Sequence, residues 1–174
     1  VVELSEFPEL WGSCTWPLSQ IDSLGLETLV MINNNTFAIG THAGIVIRRN
    51  GTTLIYDPSG HYMNDSGVRG EVGVLSDAEG ASLSSYILYQ KIDGPDVYLF
   101  KFDTSVEEEQ AIIEKMEEVG DPRGFNCANS VSRVLTGIGP FKSIDETKFP
   151  SSLFNQLVEI KVNEIKARKK GVGK

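Results

Sequence analysis

The sequence predicts an α+β domain in which an antiparallel sheet packs against helices. Three observations predict it: two β-branched runs joined by Asn50-Gly51, a third extended run at 97–102, and helical apolar spacing that begins after Ser105. The chain has 174 residues, 40% of them hydrophobic, enough for one proper core and too few for two. Residues 1–174 are therefore expected to form a single domain.

Residues 1–36, with Trp11, Cys14, Trp16 and Pro17, are aromatic and rich in turn formers, and read as an irregular segment packed over a core. Residues 37–40 and 42–48 read as extended. Asn50-Gly51 then signals a type I′ hairpin turn, and residues 52–57 form the returning strand. Glycines, Pro58 and the Asn64-Asp65-Ser66-Gly67 cluster make residues 58–80 a long loop. Residues 84–90 are apolar and aromatic and fit either a strand or a helix, whereas 97–102, bounded by Gly94-Pro95, fit a strand.

Ser105 and Glu108 form a capping box, and Ala111, Ile112, Met116 and Val119 carry an apolar stripe that Gly120-Asp121-Pro122 ends. The glutamates of this helix are expected to face water. The next helix starts near Cys127, with Val131, Val134, Leu135 and Ile138 on the same face as the cysteine, so Cys127 points to the core. A last helix begins at Pro150-Ser151-Ser152, carries Leu153, Leu157 and Ile160, and runs into a basic, frayed tail at 167–174.

Net charge is −8, with a basic cluster confined to the C-terminal end. An acidic body argues against nucleic acid as a partner, because phosphate binding relies on basic surface. No apolar run is long enough to span a membrane, and Val1 does not open a signal-peptide pattern. The absence of an initiator Met is consistent with a processed product. Two cysteines and two histidines at these spacings match no zinc motif, and no metal or organic cofactor is expected.

What remains is nucleophile chemistry. A thiol on the first turn of a helix is favoured as thiolate by unpaired backbone N–H groups and the helix dipole, which makes Cys127 the candidate nucleophile. His42, on a strand, is the candidate general base and acid. If Asn50-Gly51 are the central turn residues, Arg49 faces Thr52, the partner of His42 is Ser59, and Asp57 is a diagonal neighbour on the same face. Asp57 is thus the group expected to orient His42, with Ser59 and His61 as alternatives. The Cys127 backbone N–H is the expected oxyanion donor. Each residue also has an ordinary structural role: a core thiol, a sheet histidine, and an aspartate capping the Asp57-Pro58-Ser59-Gly60 turn.

Three segments, Thr41-His42-Ala43-Gly44-Ile45-Val46-Ile47, Ile55-Tyr56-Asp57-Pro58-Ser59-Gly60-His61-Tyr62 and Asn126-Cys127-Ala128-Asn129-Ser130-Val131-Ser132-Arg133-Val134-Leu135, resemble the NlpC-type, papain-like cysteine peptidases and amidases. The histidine strand precedes the cysteine helix, as in the circularly permuted branch of that superfamily. Within it the chain is similar to hydrolase effectors of type VI secretion. The resemblance implies a papain-like fold and Cys127, His42 and Asp57 as nucleophile, base and third residue, although many relatives carry His in the third position. It also implies cleavage of an amide bond in peptidoglycan peptides, in the periplasm of a target bacterium. A cognate immunity protein and a secretion-apparatus carrier would be partners. Competing expectations are a lipid-directed thiol acyltransferase or phospholipase, a protein-targeting protease or deamidase, and a non-catalytic binding module.

Overall fold

A computed structural model describes residues 26–35, 38–94, 96–122 and 124–171. Five antiparallel strands form one sheet in the order β4-β3-β2-β1-β5: β1 Glu27–Asn35, β2 Ala38–Arg49, β3 Thr52–Tyr56, β4 Val74–Ser76 and β5 Asp96–Asp103. Among the described residues four helices accompany them: α1 Leu83–Asp93, α2 Val106–Val119, α3 Cys127–Leu135 and α4 Pro150–Gly171. The chain is thus α+β with an antiparallel sheet, as expected.

The sheet buries both faces, and side-chain alternation sorts them. Ala43, Ile45 and Ile47 of β2, with Val30, Ile32, Phe100 and Phe102, pack against Ile112, Met116, Val131, Leu135, Leu153 and Leu157 of α2, α3 and α4. The opposite face presents Leu29, Met31, Val46, Ile55 and Leu75 to Tyr62 and Tyr86. Asn50 and Gly51 both have positive φ, 51° and 81°, the conformation a type I′ turn requires. The hairpin register follows from that turn, with Arg49 opposite Thr52 and Ile45 opposite Tyr56. Beyond Ile45 and Tyr56 the ladder ends, so residues 42–44 of β2 have no partner in β3.

Several expectations need correction. The irregular segment assigned to 1–36 gives way at Glu27 to β1, a central strand between β2 and β5. Its run Leu29-Val30-Met31-Ile32 is buried on both faces, and a strand covered on both sides loses the apolar–polar alternation that marks strands in sequence. Trp11, Cys14 and Trp16 lie outside the described residues. The loop at 58–80 contains the short edge strand β4 and two 3-10 turns, Glu71–Gly73 and Asp77–Glu79. Residues 84–90 are helical within α1, started by Ser82, whose hydroxyl accepts from Ser85 N–H. As expected, α4 runs into the basic end, reaching Gly171 with Arg168, Lys169 and Lys170 in its last turn, where cations suit the helix dipole.

The capping box forms as expected, Ser105 N–H donating to Glu108 and Glu108 N–H to Ser105 Oγ. One glutamate of α2 does not face water. Glu109 is fully buried, accepts from Thr104 Oγ1 at 3.2 Å, and burial raises its pKa.

Candidate active site

At the end of the β2–β3 ladder the chain stops pairing strand to strand and begins pairing side chain to side chain. His42 has the same strand parity as Gly44 and Val46, and Asp57 the same parity as Ile55, so both belong to the α1 side of the sheet. His42 Nε2 lies 2.7 Å from Asp57 Oδ1. The imidazole also interacts with the Cys127 thiol, by hydrogen bonding and charge.

Cys127 opens α3 as its first residue, is 6% exposed, and carries no disulfide among the described residues. The backbone groups of Ala43 and Ala128 hydrogen-bond its sulfur. Both donors follow from the local fold. Ala43 sits where β2 has lost β3, and Ala128 N–H belongs to a first helical turn that has no intrahelical acceptor. Val131, Val134 and Leu135 anchor the core face of α3.

Charge in this site is mutually sustained. Burial opposes charge on His42, but its hydrogen bonds to Asp57 and Cys127 and their negative charge outweigh it, raising the imidazole from 6.5 to about 10. Burial pushes the Cys127 thiol up, and the hydrogen bond and positive charge of His42 more than reverse it, holding the thiol below its ordinary value. Asp57 is likewise pushed up by burial, yet His42 foremost, then the Tyr86 hydroxyl and Tyr62 N–H, hold it below the usual carboxylate range. The arrangement sets a thiol of lowered pKa beside an imidazole of raised pKa beside a carboxylate of lowered pKa. Such a set has the groups that nucleophilic attack by sulfur with a nearby proton donor requires.

Asp57 is held from every side. Oδ1 accepts from Tyr86 Oη at 2.7 Å and Gln90 Nε2 at 3.2 Å besides His42, and Oδ2 accepts from Tyr62 N–H at 3.2 Å. Asp57 N–H donates to Gly73 O at 2.8 Å. The amide of Gln90 is turned so that its Oε1 accepts from Asn33 Nδ2 at 3.4 Å, which leaves Nε2 for Asp57. Two glycines make the room. A Cβ on Gly60 would fall 1.7 Å from Asp57 Oδ2, and one on Gly44 would fall 2.2 Å from Tyr86 Oη.

The alternative third residues go elsewhere. Ser59 turns to the segment ahead of α3, its Oγ donating to Pro122 O and its N–H to Asp121 Oδ1. Arg69 pairs with the same Asp121, and Tyr56 Oη donates to Gly120 O, so the loop after Asp57 and the loop before Cys127 are tied together. His61 is exposed. Tyr86 and Gln90 were not foreseen. They stand four residues apart, hence on one helix face, and that spacing of two hydrogen-bonding side chains was the signal available.

Among the described residues no group of three or more His, Cys, Asp or Glu side chains could hold a metal ion. No helix of the described residues is long and apolar enough to cross a membrane. No family model, curated protein or solved structure matches this chain.

Proposed function

We propose that this protein is a cysteine hydrolase of permuted papain-like architecture that cleaves amide bonds in the peptide part of peptidoglycan, as a secreted antibacterial effector. The observation that carries the catalytic reading is the unbroken series of hydrogen bonds from Asp57 through His42 to Cys127 at the start of α3. The substrate class and the setting rest on the resemblance of the three segments that bear these residues.

In this mechanism the Cys127 thiolate adds to the amide carbonyl, and the developing oxyanion is met by the Cys127 backbone N–H. His42, protonated at the outset, gives its proton to the leaving amine as the C–N bond breaks, which leaves a thioester and a neutral imidazole. Water then attacks the thioester while His42 takes its proton, and the carboxylic acid product leaves as the thiolate and imidazolium are restored. Asp57 keeps one ring nitrogen occupied throughout. The His42 side chain is 15% exposed.

The test is digestion of purified peptidoglycan followed by mass spectrometry of the soluble fragments, with Cys127→Ala as control. New free amino and carboxyl ends that depend on Cys127 are expected. Undigested peptidoglycan with release of fatty acid from phospholipid vesicles would move the reading to lipid-directed acyl transfer. Peptidoglycan and lipid both unchanged would move it to a protein target.

A further inference from the structure

We infer that the Tyr86 hydroxyl is a positioning group for the active site, acting on His42 and Cys127 only through Asp57 Oδ1. The inference rests on the cysteine-hydrolase reading above and extends it to a residue on another element.

Three donors converge on one oxygen, His42 Nε2 and Tyr86 Oη at 2.7 Å and Gln90 Nε2 at 3.2 Å. A carboxylate suits that load, because its charge strengthens each bond and its second oxygen accepts from Tyr62 N–H without bringing a donor of its own. A histidine at position 57 would have a single acceptor nitrogen and could not serve all three. An asparagine would keep one acceptor oxygen but turn an NH2 towards Tyr62 N–H, donor against donor. The ring of α1 therefore explains why an aspartate stands here.

Tyr86 is built for this one contact. It is fully buried, and burial together with the charge of Asp57 raises its hydroxyl well above the ordinary tyrosine value, so it remains a donor. Its ring is braced edge-on by Tyr62 at 5.0 Å. Its hydroxyl occupies the space that a side chain on Gly44 would fill, two residues along β2 from His42. No substrate atom can reach a side chain with no exposed surface, so its influence on chemistry must pass through Asp57. Each donor on Oδ1 fixes the oxygen's position and stabilises its charge. Losing one loosens the imidazolium, and the thiolate opposite it becomes harder to form.

Alkylation of Cys127 by iodoacetamide as a function of pH tests this without knowledge of the substrate. Tyr86→Phe removes one oxygen and keeps the ring. The pH at which Cys127 becomes reactive should rise by about 0.5–1 relative to the wild type, the scale of one hydrogen bond to a charged group acting at one remove. In an Asp57→Asn background the same substitution should cause no further rise. Gly44→Ala, which crowds the hydroxyl, should move the limb in the same direction. Once a cleaved substrate is in hand, kcat should fall about tenfold in Tyr86→Phe with KM unchanged. A reactivity limb that coincides with the wild type in both Tyr86→Phe and Gly44→Ala would overturn the role of Tyr86 and leave the cysteine-hydrolase reading standing. So would equal shifts in the presence and absence of the Asp57 carboxylate. A wild-type Cys127 that reacts only in the ordinary thiol range would overturn both.

Discussion

Charge is what separates Cys127 from an ordinary core cysteine. Both are buried and both sit among apolar neighbours, but the Cys127 thiol faces His42 and the Ala43 and Ala128 backbone, which together hold its pKa below the ordinary value against the effect of burial. If the protein is the cysteine hydrolase proposed above, His42→Ala removes the proton donor and the countercharge together and should lower hydrolysis by about 10²–10⁴-fold, measured as initial rates on a cleaved peptidoglycan fragment. Cys127→Ala should lower it by about 10⁴-fold or more, with an unchanged circular dichroism spectrum. Gly60 is the most constrained neighbour of the site. Its φ is ordinary for any residue, so only space forbids a side chain, and the Cβ of Gly60→Ala would have to displace the Asp57 carboxylate. That substitution should cost about 1–3 kcal/mol in urea unfolding and slow alkylation of Cys127 at neutral pH.

At the scale of elements, the hairpin carried most of what could be read in advance. Asn50-Gly51 specified the turn, the turn specified the register, and the register put His42 and Asp57 on one face. The strand ladder itself stops at Tyr56, so Ser59 never becomes the cross-strand partner of His42 that an unbroken ladder would make it. Gly51→Val should lower stability by about 1–2 kcal/mol, since a β-branched residue at φ 81° is strained, and urea denaturation measures it. Two elements resisted reading. β1 has no alternation because water touches neither face of its centre, and α1 has Tyr86 and Gln90 meeting a residue 29 and 33 positions away, a long-range contact that no local pattern encodes. The helix start at Cys127 was legible because its apolar spacing is local. Which buried glutamate of α2 would turn inward was not, since Glu109 differs from Glu107 and Glu108 only in helical phase relative to Thr104.

Across the whole molecule, the ion pair of His42 and Asp57 links stability to pH. His42 is raised on folding, so its contribution is complete below the unfolded value of 6.5 and is lost as pH rises through about 10. Asp57 is lowered on folding, so its contribution is complete above the ordinary 3.8 and is lost as pH falls through its depressed value. The difference in urea midpoint between wild type and His42→Ala should therefore be widest between 3.8 and 6.5 and narrow steadily above that window. A difference that grows towards pH 10 would contradict the sign of the shift.

The most direct measurement is iodoacetamide labelling of the native protein at about pH 6, with the modified peptide identified by mass spectrometry, in wild type and in His42→Ala. An ordinary thiol is almost fully protonated at that pH. Labelling of Cys127 in the wild type and its loss in His42→Ala is the predicted result. A wild-type Cys127 that stays unmodified at pH 6 and reacts only above about pH 8, or only after unfolding, would contradict a thiolate held by His42 and Asp57.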